Sequence, residues 1–232
     1  MNEKPLFFKY SPWKRKETLQ LLLLVFVIVP FFIEYLLNDY LESTFQNDLY
    51  AGTLTGFIMS IVFTLAVYCL ALRPQRLTWK EVGLSSFPKT YWGAIGGWAM
   101  VLIIASIFLI IAGDLFGLGY GNKKTDSLQS HLNFINFTIG FISAAVTSPV
   151  YEEILYRGFL YRWLRSKYGL VIGMIGSSFI FMLVHIPTYN VLPITFISGL
   201  VFSWTYEKTK SIIPGMIIHA IFNALAVILT VI

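Results

Sequence analysis

Long runs of apolar residues dominate this chain and leave it few ways to fold. A helix needs about 20 apolar residues to cross the hydrocarbon core of a bilayer. Seven stretches approach that length: Leu19–Leu37, Ala51–Leu72, Tyr91–Gly113, Phe134–Tyr151 continuing inward, Gly169–Pro187, Val191–Tyr206 and Ile212–Ile232. The sixth is short and interrupted by Pro193 and Gly199. In lipid the backbone must satisfy its own polar groups, which a helix does within one segment. The sequence therefore predicts an all-α, polytopic membrane bundle of about seven transmembrane helices. Only 12% of the 232 residues are charged, roughly half the share of a soluble domain. That excludes an ordinary soluble enzyme, a disordered chain and a nucleic-acid binder. The one cysteine, Cys69, excludes an internal disulfide and a thiolate metal cluster.

The basic residues supply an orientation. Lys4, Lys9, Lys14, Arg15 and Lys16 precede the first span; Arg73, Arg76, Lys80 and Lys89 separate the second from the third. Arg157, Arg162, Arg165 and Lys167 lie between the fourth and fifth, and Lys208 and Lys210 precede the last. Of the 17 basic residues only Lys123 and Lys124 fall on the other side, which carries Asp39, Glu42, Asp48, Asp114 and Asp126 instead. Cytoplasmic loops collect Lys and Arg, so the expected product is a multi-pass cell-membrane protein with its N-terminus cytoplasmic and its C-terminus outside. The net charge of +5 is thereby explained without nucleic acid. The first apolar run exceeds a signal-peptide core and no small-residue cleavage site follows it, so an uncleaved anchor is expected. The loop Leu77–Pro88, with Trp79 beside Lys80, is expected along the inner surface. The pairs Gly93/Gly97 and Gly169/Gly173 are expected to permit close helix packing. No repeat or linker divides the chain. Residues 1–130 hold the first three spans and residues 131–232 the last four, as one structural domain with the chemistry in the second part.

Ionisable groups inside a span are expensive and mark function by default. Glu34 lies near the outer end of the first span, where an interfacial position accounts for it, and His131 lies in an outer loop. The second half differs: Glu152 and Glu153 interrupt the fourth span, His185 lies late in the fifth, and His219 and Asn223 lie inside the seventh. Residues four apart share a helix face. Glu153 therefore lies under Arg157 in the favourable order for an ion pair, whereas Glu152 points elsewhere, with no partner foreseen on its own helix. That assigns Glu153 a structural task and Glu152 a chemical one. His219 and Asn223, also four apart, can point into one cavity. A helix break at Tyr168–Gly169 would put Glu152 and His185 level, each about 24 Å from the tip of the hairpin at 1.5 Å per residue. His219 would lie about 12 Å along its own helix. Pro149 should kink the fourth span beside the site. Four unrelated residues making interhelical hydrogen bonds is the plain alternative.

A Glu, two His and an Asn in an intramembrane cavity suit hydrolysis of a carbonyl compound. Glu152 with His185 could hold and deprotonate a water, while His219 and Asn223 donate to the developing oxyanion. Other membrane-protease chemistries fit less well. There is no His-Glu-x-x-His run for a zinc protease, no second intramembrane Asp beside Asp114, and no Gly-x-Ser-Gly, since Ser198-Gly199 follows Phe196-Ile197. Zinc held by Glu152, His185 and His219 uses acceptable ligand types, but the spacing does not require a metal and none is expected.

Three motifs, Glu152-Glu153-x-x-x-Arg157-Gly158, Phe181-x-x-x-His185 and His219-x-x-x-Asn223, together resemble those of the CPBP family. These are the CAAX proteases and bacteriocin-processing enzymes, also called the ABI family, related to the type II CAAX prenyl endopeptidases. The resemblance spans about Val146–Leu225. It implies an intramembrane endopeptidase in which Glu152 and His185 activate water, His219 and Asn223 stabilise the oxyanion, and Glu153 and Arg157 support them. The implied substrate is a membrane-associated peptide or protein, in bacteriocin maturation, self-immunity or peptide-signal processing. A non-catalytic immunity or scaffold protein of the same fold is the alternative, and a proton-coupled transporter a more distant one.

Overall fold

A computed structural model describes residues 7–115, 123–130 and 132–231, and all of their regular structure is helical. Helix α1 runs Arg15–Phe45, α2 Asp48–Gln75 and α3 Lys89–Leu115. A short α4, Lys123–Ser130, precedes the long α5, Phe134–Leu183. Then come α6, Leu192–Thr209, and α7, Ile213–Thr230. Lys4 and His131 lie outside the described residues. The bundle exposes many apolar side chains and buries several charged ones. Phe31, Phe32, Ile104 and Phe108 are exposed, while Glu152, Glu153, Arg157, Arg162 and His219 are buried.

Among the described residues five helices, α1, α2, α3, α5 and α7, are long and apolar enough to cross a membrane. The expected count of seven is not met by that measure, for two physical reasons. First, α5 holds in 50 residues what the sequence pattern divides into two spans. Its division is at Gly169, where φ is +86° and ψ 178°, a backbone geometry that glycine reaches without steric cost. Second, α6, though 18 residues long like α7, is less apolar, with Glu207 and Lys208 in its last turn.

The break at Gly169 folds α5 into a hairpin. A Cβ at Gly173 would stand 2.9 Å from Arg165 Cα, so the arms close immediately after the turn. Tyr156 and Phe181, equidistant from the Tyr168–Gly169 bond, meet with ring centroids 5.1 Å apart. The second arm also packs tightly along α6, where a Cβ at Gly199 would lie 2.8 Å from Ser178 Cβ. Helix α7 lies against α3 and α6. Gly173 is thus a packing glycine and Gly169 a hinge. Gly93 and Gly97, by contrast, have open space where a Cβ would go, so the expectation of close packing there is corrected.

The loop at 77–88, expected along the inner surface, packs one turn against the bundle. Its turn Trp79–Val82 places Val82 in full burial. Glu81 receives Arg162 Nη1 on both its backbone carbonyl and, at 2.9 Å, its carboxylate Oε2. The Gly83 carbonyl accepts the Ile212 N–H at 2.9 Å. Next to it the N-terminal segment folds under the bundle. Trp13 is buried, donates Nε1–H to the Ala71 carbonyl at 2.9 Å and packs on Phe159. Phe8 packs edge-on against Tyr161 and Tyr206, and the Arg162 guanidinium lies 4.0 Å over the Phe7 ring. This end of the bundle is therefore closed by aromatic rings and a buried arginine.

Gly158 marks the closest approach of that loop to α5, since a Cβ there would lie 2.6 Å from the Val82 carbonyl oxygen. A backbone atom cannot rotate away, so Gly158→Ala should cost about 1–3 kcal/mol. Its thermal unfolding midpoint in detergent should fall, while Gly97→Ala, in open space, should leave the midpoint unchanged.

Candidate active site

The site starts with a defect in α5. Pro149 has no N–H and was expected to kink the helix. The preceding turn, Ser143–Thr147, widens to π geometry, and the Ser148 N–H reaches back to Ser143 O. In that register the donor due to Ala144 O is residue 149, a proline. The freed carbonyl is taken by Asn223, whose Nδ2 donates to Ala144 O at 2.8 Å. A proline on one helix is thus answered by an amide on another, and α7 is pinned in register beside the carboxylates.

Two turns on from Ala144 stand Glu152 and Glu153, both buried. Arg157 Nη1 donates to Glu153 Oε1 at 3.0 Å, with both side chains sealed from the surface. Arg157 lies between two aromatic faces, 4.1 Å from the Phe181 centroid and 4.9 Å from that of Phe202. Such cation–π contacts stabilise a desolvated cation. The i, i+4 pairing foreseen in the sequence is observed. Glu152, expected to lack a partner on its own helix, has one: Ser148 Oγ donates to Glu152 Oε1. The spacing is the same four residues that identified Glu153 with Arg157, so the signal was present in the sequence.

His219 lies between the carboxylates. Its Nε2 is 3.8 Å from Glu152 Oε2 and its Nδ1 3.4 Å from Glu153 Oε1. The imidazole stacks on Phe202 at 4.8 Å and meets the edge of Phe181 at 6.0 Å. His219 thus approaches both glutamates. Gly215, one turn before His219, allows this approach: a Cβ there would lie 3.2 Å from Glu153 Oε2.

His185 stands on the turn just beyond the end of α5, not within the helix. Its Nδ1 is 2.8 Å from the Phe181 carbonyl and its ring meets Phe181 edge-on at 5.0 Å. A carbonyl can only accept, so Nδ1 carries a proton. Both imidazoles thus flank the same phenyl ring. The arrangement offers a carboxylate, two imidazoles and an amide, drawn from α5, the turn that follows it and α7. Among the described residues no three His, Cys, Asp or Glu side chains are gathered to hold a metal ion. An open cleft of about 440 Å³ lies one turn from Ser148, lined by Tyr50, Leu54, Phe57, Ile142, Ser143 and Thr147 among others.

Comparison with known proteins bears on this region. Residues 134–225 match the family model described as Type II CAAX prenyl endopeptidase Rce1-like. The chain is 26% identical over 189 residues to YdiL of Bacillus subtilis (strain 168), provisionally named a membrane peptidase, covering 81% of this chain and 76% of that protein. It is 27% identical over 184 residues to the membrane-embedded CAAX protease MroQ of Staphylococcus aureus (strain USA300), covering 74% and 72%. No solved structure gives a significant match.

The buried pair sets a stability test. Arg157→Ala leaves the Glu153 carboxylate buried without its cation, which should cost about 3–5 kcal/mol. Asn223→Leu leaves the Ala144 carbonyl unpaired, at about 1–3 kcal/mol. Both should appear as lower denaturation midpoints of the detergent-solubilised protein, Arg157→Ala the lower of the two.

Proposed function

We propose, from the match of residues 134–225 to the Rce1-like CAAX prenyl endopeptidase model, that this multi-pass membrane protein is an intramembrane endopeptidase. The observation that carries the reading is the approach of His219 Nε2 to Glu152 Oε2, 3.8 Å apart, in a site otherwise sealed by rings. A base and a hydrogen-bond donor at that spacing can serve the carbon and the oxygen of one carbonyl group. In this reading a water held by Glu152 and the His185 Nε2 lone pair loses a proton to Glu152 as its oxygen bonds the carbonyl carbon. The carbonyl π electrons move to oxygen, and the resulting oxyanion receives hydrogen bonds from His219 and Asn223. When the tetrahedral species collapses, the C–N bond breaks and the protonated Glu152 returns its proton to the departing amine. Glu153 and Arg157 do not touch the substrate; they hold His219.

The substrate is a membrane-associated peptide or protein, and the physiological setting is bacteriocin maturation, self-immunity or the processing of a peptide signal. No metal is needed in this scheme. The distribution of Lys and Arg supports a cytoplasmic N-terminus and an outer C-terminus. The competing reading is a non-catalytic immunity or scaffold protein.

Glu152→Gln removes the base but keeps the volume. Product formation should fall about 1,000-fold, within the usual contribution of one proton-transferring group, while the unfolding midpoint stays near that of the parent. Mass spectrometry of membrane peptides from a strain carrying Glu152→Ala should show a precursor accumulating. Full biological activity in that strain would establish the non-catalytic alternative. Treatment of the purified protein with a chelator should leave turnover intact, and one bound zinc per chain whose removal stops turnover would overturn the metal-free scheme.

A further inference from the structure

Ser148 takes no part in the scheme above, yet it touches the carboxylate on which the scheme turns. Hydroxyl residues in apolar helices ordinarily bond back to a carbonyl on the preceding turn. Thr138 does so to Phe134 O, Ser60 to Phe57 O, Thr195 to Val191 O and Ser198 to Thr195 O. Ser148 departs from this habit. The carbonyl four residues before it belongs to Ala144 and is engaged by Asn223 at 2.8 Å, and its hydroxyl turns forward to Glu152 Oε1 instead. The cause is Pro149, which opens the turn, frees the carbonyl and so brings in the amide.

The consequence falls on Glu152. A glutamate side chain has three rotatable bonds, and a hydrogen bond to one of its oxygens restricts all three. With Oε1 held by Ser148, Oε2 is the oxygen that faces His219 Nε2, 3.8 Å away. We propose that Ser148 is a positioning residue: it fixes the Glu152 carboxylate with Oε1 engaged and Oε2 presented to the water and carbonyl. It acts through Glu152 and does not touch substrate. The proposal rests on the hydrolytic reading and deepens it.

The test uses the full-length protein in detergent, with the membrane peptide extract of a Glu152→Ala strain as the substrate source and mass spectrometry to follow precursor loss. Ser148→Ala should lower kcat about tenfold, the size expected when a hydrogen bond to a charged group is lost. KM and the unfolding midpoint should stay within error. Ser148→Thr, which keeps the hydroxyl, should recover most of the rate. In a Glu152→Asp background the shortened carboxylate lies out of reach of residue 148, so adding Ser148→Ala should change kcat little. An undiminished kcat in Ser148→Ala, with Glu152→Gln inactive, overturns the positioning proposal and leaves the peptidase reading standing. A tenfold loss that persists in the Glu152→Asp background also overturns it, as does a loss that tracks a lowered midpoint. Complete inactivity of both the Ala and Thr variants would make Ser148 a reacting group and overturn it likewise. If no peptide accumulates without Glu152, the hydrolytic reading falls and takes the proposal with it.

Discussion

The buried ion pair between Glu153 and Arg157 is the interaction on which the second half of the molecule depends. Neither side chain reaches the surface, and an isolated charge so deep in the protein would be far costlier than the pair. The pair therefore dictates its surroundings. Arg157 draws Phe181 from the second arm of α5 and Phe202 from α6 onto its two faces. Glu153 draws His219 of α7. Four helical segments thus converge on two residues one turn apart. The same rings that desolvate the arginine orient the imidazoles, Phe202 beneath His219 and Phe181 between His219 and His185.

A second constraint is the missing donor at Pro149. In water the loss of one backbone hydrogen bond is readily made up, but in an apolar interior it must be answered by another protein group. Here the answer comes from Asn223, and its effect spreads along one face of α5 through Ala144, Ser148 and Glu152. What looks in sequence like a helix-breaking residue is, in three dimensions, the device that registers α7 against α5.

The opposite end of the bundle is held differently. The packed turn at Trp79–Val82, the N-terminal aromatics and the buried Arg162 clasp the first arm of the α5 hairpin towards its tip. Arg165 adds a bond to Glu207 Oε1 at 3.0 Å, and Tyr161 donates to Glu207 Oε2 at 2.5 Å. Basic residues that read as mere topology signals therefore include two that knit α5 to α6 and to the loop. Their fixed partners make the hairpin a rigid mount for the glutamates above it.

Much of this was legible in the residues alone because membranes impose simple periodicities. Apolar runs mark helices, a four-residue spacing pairs Glu153 with Arg157, and a glycine just after a basic stretch marks the hairpin tip. Those features depend on local geometry, which a sequence encodes directly. The same spacing would have identified Ser148 with Glu152. Tertiary structure alone decided the rest: that Gly93 and Gly97 face open space, that the loop after α2 packs one turn against the bundle, and that Asn223 answers Pro149. It also decided that His219 stands between both carboxylates. Each of these depends on the rotation and depth of one helix relative to another. Those quantities are set by packing between segments far apart in the chain, and no periodicity within a single segment records them.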